Sequence, residues 1–199
     1  MSPDLILARL YAHIEPMERG ERYEDPLETA LGAAGVGTVT GGGSQLNEVG
    51  GIEFADIEIE LANLDGAVQI VIDALERSGA PQGSEIISGG DVLREFGTQQ
   101  CLAIFLDGVS LPDEVYANLD FEETVEKIGS AAGPDSYRGF WQGPEETGIF
   151  FYGSSADAMF ERVEPVLRAM PIGQNARVVI RHGKETLQPR TVRMPKWSA

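Results

Sequence analysis

The sequence predicts an α+β protein made of two tandem ferredoxin-like (βαββαβ) units with antiparallel sheets. Residues 64–87 and 156–180 follow one plan, an amphipathic helix opened by an Asp, a Gly/Pro turn and a short apolar strand. Their helix residues match at an offset of 92 positions, so that Val71 corresponds to Val163 and Leu75 to Leu167. A strand, a helix and two further strands are predicted before each copy, which gives the βαββαβ order twice.

In the first unit, alternating or β-branched apolar runs predict strands, and apolar residues at helical spacing predict helices. The predicted strands are residues 5–14, 36–40, 52–61 and 84–88, and the predicted helices begin at Asp25, which Pro26 follows, and at Asp65. Residues 15–24 are expected to form a charged loop. A change of parity in the third strand implies a bulge near residues 55–56.

The second unit is predicted in the same way. Its strands are expected at residues 101–106, 137–142, 148–152 and 177–180. Asp120 is expected to cap a helix that Gly133 ends, and a last helix is expected over residues 156–170, kinked or restarted at Pro165. The domain prediction is therefore a first, acidic unit over 1–90, a linker over 91–100 with one helical turn, a second unit over 101–183 and a C-terminal tail over 184–199.

The charge of the chain is strongly negative and uneven. The net charge is −17, and residues 1–98 hold 18 acidic residues against five Lys and Arg. Such a field repels nucleic-acid backbones and attracts cationic partners, so we expect a basic protein partner and no nucleic acid. Solubility alone is an equally weighted explanation of the charge.

Targeting features predict a cytoplasmic protein. The longest apolar runs are the length of a strand, so no membrane contact is expected. Residues 1–14 lack the basic start of a secretory signal, and a single cysteine excludes an internal disulfide.

The two predicted sheets differ in their open faces. In the first unit Arg9, Tyr11 and His13 are expected beside carboxylates, a surface that water can solvate. In the second unit every choice of parity leaves an apolar face, which we expect the other unit to cover, with a second copy or a partner as alternatives.

An acidic stripe on the third strand is the first candidate site. Its members are Glu53, Asp56, Glu58 and Glu60. With His13 they could hold a divalent cation, but residues two apart on a strand diverge, so a solvated or protein-binding face is favoured.

A glycine run gives a second candidate. Gly41, Gly42, Gly43 and Ser44 are expected in a hairpin loop and are kept as the ligand-binding residues of an alternative function. A phosphate-binding loop is disfavoured, because such a loop leads into a helix and often carries a Lys, whereas here a strand is predicted next and no Lys follows.

The hairpin after residue 136 is the densest aromatic patch. Tyr137, Arg138 and Trp141 are residue types that dominate binding hot spots, on what should be an edge strand. The competing interpretation puts Phe140 in the core and leaves Tyr137 and Arg138 on the surface.

No catalytic constellation is recognisable. Cys101 opens an apolar strand where a thiol is normally packing, neither His13 nor His182 lies in a motif, and no Gly-x-Ser-x-Gly turn occurs. We therefore expect no cofactor, no metal and, on balance, no enzymatic activity.

The leading functional hypothesis is a non-enzymatic acidic binding protein that engages a basic protein partner, in the manner of an inhibitor or immunity protein. The alternative is a small-molecule-sensing regulatory module with a ligand cleft between the two units. Either could act as a monomer or a homodimer.

Overall fold

A computed structural model describes residues 3–183 and 189–196 and divides the chain into two compact units, 1–99 and 100–199. Each unit has one antiparallel sheet with helices on one face. In the first unit the elements are β1 (Asp4–Leu10), α1 (Pro16–Arg19), a π-helical turn (Gly20–Glu24), α2 (Asp25–Ala34), β2 (Gly37–Leu46), β3 (Ile52–Leu61), α3 (Ala67–Arg77), β4 (Ser84–Ser88) and β5 (Asp91–Phe96). In the second they are β6 (Gln100–Asp107), α4 (Asp113–Ala117), α5 (Phe121–Ala132), β7 (Tyr137–Gln142), β8 (Glu146–Gly153), α6 (Ala156–Ala169), a 3₁₀ turn (Pro171–Gly173), β9 (Arg177–Arg181) and β10 (Arg190–Arg193).

The strand orders confirm the predicted fold class. The first sheet runs β2-β3-β1-β4-β5 and the second β10-β9-β6-β8-β7. In both, the first and third strands of the βαββαβ plan are central, as in a ferredoxin-like sheet. Each unit adds a fifth strand beside its fourth. Among the described residues, no helix has the length and apolar character needed to cross a membrane.

The core of the first unit lies between its sheet and its helices. The predicted inward set of β1, with Ala12 and Ile14 beyond its end, is at most 2% exposed, and Ile57 and Ile59 of β3 are fully buried. Leu31 of α2 and Leu75 of α3 cover them and are also fully buried. The buried residues of the strands therefore alternate along the chain, and they pack against helix residues that recur at helical spacing.

The second unit repeats this arrangement. Leu102 and Ile104 of β6 pack with Phe151 of β8 and with Val163 and Leu167 of α6, all of them fully buried. Val71 and Leu75 of α3 are buried like Val163 and Leu167, so the matched positions share their environment. The helix starts differ, because Ala67 opens α3 while Met159 lies a turn inside α6.

The caps show which helix starts were correct. Asp120 caps α5 as predicted, its Oδ1 accepting from the N–H of Glu123 at 3.0 Å. Asp65 caps nothing, since Gly66 precedes α3, and Ser155 rather than Asp157 caps α6. Helix α6 continues through Pro165 as one element.

Four local predictions for the first unit are wrong. Residues 15–24 are largely helical and lead without a break into α2, so Asp25 is not an N-cap. Residues 41–43 lie within β2 rather than in a loop. The register shifts fall at Val39/Gly41 and at Gln45/Leu46, and the second skips Glu53 of β3, so the irregularity of β3 lies at residue 53 rather than at 55–56. Residues 91–96, predicted as linker, form β5 against β4.

The structure also adds elements at the end of the second unit. Helix α4 and the 3₁₀ turn Pro171–Gly173 were not predicted. Within the predicted tail, residues 190–193 form β10 beside β9, whereas 184–188 and 197–199 lie outside the described residues.

Candidate partner-binding edge

The structure brings the glycine run and the carboxylate stripe of the first unit together. Strand β2 lies at the edge of its sheet, next to β3. Gly41 pairs with Glu58, Gly43 with Asp56, and Thr38 with Glu60. We call this surface the acidic edge; it comprises Gly41, Gly42, Gly43 and Ser44 on β2 and Asp56, Glu58 and Glu60 on β3.

The charge at the acidic edge comes from Glu58 and Glu60. Asp56 is neutralised by Arg9, whose guanidinium donates two hydrogen bonds to it at 2.9 and 2.8 Å. This hydrogen bonding to Asp56 raises the pKa of the Arg9 guanidinium, although burial opposes the shift. Glu58 is exposed and Glu60 half-buried, and neither pairs with a cation in the described part of the chain. Two negative charges thus remain uncompensated beside the strand edge.

Phe54 and Tyr11 complete the face around Arg9. The Arg9 guanidinium lies 3.8 Å from the centroid of the Phe54 ring, a cation–π contact. Tyr11 donates to Glu85 at 3.0 Å, and its ring meets Phe54 edge-on at 6.1 Å. This contact explains the change of parity in β3, because Phe54 belongs to the polar face.

Close packing explains one glycine of the run. A Cβ on Gly42 would lie 2.8 Å from the carbonyl oxygen of Asp56 and 2.9 Å from Oε1 of Glu24. Glu24 is held there by Arg19, a buried arginine that donates to it at 2.5 Å. Gly43, by contrast, has open space where a Cβ would be. Gly41 and Gly43 place no side chain beside Glu58 and Asp56, so both the carboxylates and the strand backbone are accessible from the edge.

The two ends of β2 are finished differently. At its start, Glu28 of α2 accepts from the N–H of Val39 at 2.6 Å and from the hydroxyl of Thr38, so this part of the edge is already occupied. At its end, Leu46 and Val49 are 52% and 60% exposed. The accessible edge therefore runs from Gly41 towards an apolar tip.

The remaining residues of the predicted stripe lie apart from the acidic edge. Glu53 is exposed, but it does not alternate in phase with Asp56, Glu58 and Glu60. His13 is 5% exposed, beyond the end of β1. Over residues 3–183 and 189–196, no three His, Cys, Asp or Glu side chains are grouped as metal ligands would be.

The aromatic hairpin lies at the corresponding edge of the second unit, because β7 is an edge strand. Tyr137 and Phe140 are 38% and 44% exposed, and Trp141 is half-buried. Arg138 is 3% exposed and donates to the carbonyl oxygen of Tyr137 at 2.9 Å. The interpretation that put Phe140 in the core and Arg138 on the surface is therefore wrong for both residues; Phe140 contacts Phe121 edge-on at 5.0 Å.

The apolar face of the second sheet is buried. Its side chains, apart from Ala103, which is fully buried, are between 3% and 8% exposed; they include Cys101, Phe105, Phe150 and Tyr152. The thiol of Cys101 is thus part of a packed surface rather than an accessible nucleophile.

A polar cluster closes the end of β6. Asp107 accepts hydrogen bonds from the N–H groups of Val109 and Ser110 at 2.9 and 2.7 Å, from the Ser110 hydroxyl and from Asn175. Burial acts to raise the pKa of Asp107, but the hydrogen bonds, led by that of the Ser110 hydroxyl, outweigh it and hold the pKa well below its ordinary value. All these groups are satisfied by one another, so the cluster stabilises a turn.

Comparisons with known proteins return distant structural likenesses only. No protein-family model and no curated protein matches the chain. A protein of unknown function from Galdieria sulphuraria has a TM-score of 0.30 at 12% identity, covering 90% of this chain and 98% of its own. The first two RRM domains of a yeast poly(U) binding protein have a TM-score of 0.25 at 10% identity, with coverage of 88% and 98%. A candidate monooxygenase from Fusobacterium nucleatum has a TM-score of 0.31 at 11% identity, with coverage of 98% and 99%. Such low TM-scores carry no argument about what this chain binds.

Proposed function

We propose that the chain is a non-enzymatic binding protein of the cytoplasm that holds a basic protein partner at its acidic edge, in the manner of an inhibitor or immunity protein. The observation that carries the proposal is an edge strand without side chains at Gly41 and Gly43, next to the uncompensated carboxylates of Glu58 and Glu60.

The backbone supplies one half of the recognition. An exposed edge strand presents unpaired N–H and C=O groups, which an extended segment of another protein can pair with as an added strand. Gly41 and Gly43 leave the sheet face beside Glu58 and Asp56 uncovered, so an added strand can bring its own side chains to that face. Pro or Lys would protect the edge, and neither occurs in residues 37–46.

Charge supplies the other half. An added strand along the accessible edge places alternate side chains on the face that carries Glu58. Glu60 lies two residues further along β3, beside the occupied start of β2. A lysine or arginine of the added strand would meet Glu58, and neither carboxylate pairs with a cation among the described residues. The net charge of −17 adds long-range attraction, which speeds association with basic proteins and is screened by salt.

Binding of a model strand tests the proposal. The probe is a ten-residue peptide alternating lysine and valine, with a second version methylated on alternate backbone nitrogens so that it cannot pair. We expect the first to bind with an association rate that falls steeply with salt, and the second to bind much more weakly. Equal binding of the two peptides would show that backbone pairing is not involved.

A matched pair of double variants locates the site. Glu58→Gln with Glu60→Gln removes two charges at the acidic edge and is expected to weaken binding about 3- to 10-fold. Asp65→Asn with Asp91→Asn removes two exposed charges elsewhere in the same unit, Asp91 lying on the opposite edge strand. If both variants lose affinity equally, net charge rather than the acidic edge determines binding, and the proposed site is wrong.

A further inference from the structure

A groove in the second unit is separate from the acidic edge and from the polar cluster at Asp107. It lies where α4 and the start of α5 face the 3₁₀ turn Pro171–Gly173, and it encloses about 400 Å³. This volume lies within the range of pockets that hold organic ligands or large side chains.

The floor of the groove is apolar. Val115 lies in α4 and Leu119 just beyond its end, and with Met170 they pack against the core while remaining half-buried. Ile172 is 5% exposed at the base. Three large apolar side chains therefore keep surface exposed inside a concave site, where a partner side chain would remove it from water.

The rim of the groove is acidic. Glu114, Asp120 and Glu123 line it and are exposed. Lys127 is the one cation among the described residues that line the groove, and it pairs with Glu123 at 2.9 Å. Glu114 and Asp120 pair with no cation among the described residues, so the rim carries a net negative charge around an apolar floor.

We propose that this groove binds a partner segment that places one large apolar side chain, such as leucine or phenylalanine, on the floor and a lysine or arginine on either side of it. The apolar side chain is held by contact with Val115, Leu119 and Met170. The flanking cations meet Glu114 and Asp120, whereas an acidic or phosphorylated segment is repelled. This site differs from the acidic edge because the apolar contact, and not backbone pairing, is essential to it.

Titration of the isotope-labelled full chain with unlabelled peptides tests the proposal. The probe is a nine-residue glycine-serine peptide with a central Lys-Leu-Lys, compared with versions in which Ser replaces Leu or Glu replaces both Lys. We expect the amide resonances of Val115, Leu119 and Met170 to shift with the first peptide, and the affinity to fall at least tenfold for each of the others. Equal binding of the Ser peptide would overturn the proposal, since charge alone would then account for the interaction.

Conservative variants separate binding from folding. Glu114→Gln with Asp120→Asn removes the free rim charges, and Asn retains the capping hydrogen bond to the N–H of Glu123. We expect affinity to fall about 3- to 10-fold with the melting temperature nearly unchanged. The control is Glu122→Gln with Glu126→Gln, two exposed acids of α5 that do not line the groove. An equal loss in the control, or groove resonances that shift with protein concentration in the absence of peptide, would refute the proposal, the second result showing that another copy of the chain occupies the groove.

Discussion

The difference between Gly42 and Gly43 tests the packing of the acidic edge most directly. Replacing Gly42 by Ala puts a Cβ 2.8 Å from the Asp56 carbonyl oxygen and 2.9 Å from Oε1 of Glu24. The first of these atoms belongs to the backbone of β3 and cannot move without shifting the sheet. Replacing Gly43 by Ala meets no atom within 4 Å.

The expected magnitude follows from comparing the two variants. Both gain about 0.4–1 kcal/mol because alanine restricts the unfolded chain more than glycine does. Only Gly42→Ala is overpacked, at a cost of about 1–3 kcal/mol. The free energies of unfolding of the two variants should therefore differ by about 1–3 kcal/mol, with Gly43→Ala the more stable.

The assay must report on the first unit alone. Both tryptophans of the chain, Trp141 and Trp197, come after residue 99 in the sequence, and Trp141 lies on β7 of the second unit. Urea titration followed by the amide resonances of β3 measures the first unit, and tryptophan fluorescence in the same samples measures the second. Equal stability of the two variants, or a less stable Gly43→Ala, would refute the packing explanation and return the whole glycine run to a ligand-binding role.

Three further predictions concern stability. Asp107→Asn should lower the unfolding free energy of the second unit by about 2–4 kcal/mol, read by tryptophan fluorescence in urea. Because the pKa of Asp107 is lowered in the folded state, its contribution is complete above the unfolded pKa of about 3.9 and is lost as the pH falls below it, so the variant should lose less stability on acidification. Ser155→Ala should cost about 1 kcal/mol by removing the cap of α6, and an equally stable variant would show that the cap is dispensable. Gly97→Ala should unfold much of the first unit, since the new Cβ would lie 1.8 Å from the Pro81 carbonyl oxygen at a φ of +105°; native amide resonances in this variant would contradict the expectation.

Alternation and caps made much of the fold predictable. The inward residues of β1, the bounds of β3 at Ile52–Leu61 and the cap at Asp120 follow from local sequence alone. Alternation along a strand and capping of a helix depend on local backbone geometry, so they can be predicted without knowing what the element packs against. The sequence also identified the carboxylates of the acidic edge, because Asp56, Glu58 and Glu60 alternate with buried neighbours.

Two of the errors depend on contacts between elements that the local sequence does not show. Three consecutive glycines favour a loop, yet in β2 the Arg19–Glu24 ion pair approaches so closely that only glycine fits at residue 42. Strand β5 carries mostly exposed side chains, so nothing in its own pattern distinguishes it from a linker until β4 is beside it. The groove was missed because α4 has only five residues, too few to show a helical period.

The two sheets differ most at one pair of equivalent edge strands. In each, an added strand, β5 or β10, protects the edge of the fourth strand, which leaves the second strand of the βαββαβ plan at the opposite edge. These equivalent strands are β2, with its glycines beside carboxylates, and β7, with exposed Tyr137 and Phe140. The aromatic set predicted from sequence for partner binding thus lies on one of these edge strands, and Asp56, Glu58 and Glu60 of the acidic set lie on β3 beside the other. A strand edge needs little change to its own core to acquire new recognition, because alternate side chains face away from that core. If binding is located at these edges, replacing Tyr137 and Phe140 by serine should weaken the binding of a partner protein, measured as an increase in Kd, and an unchanged Kd would exclude the β7 edge from recognition.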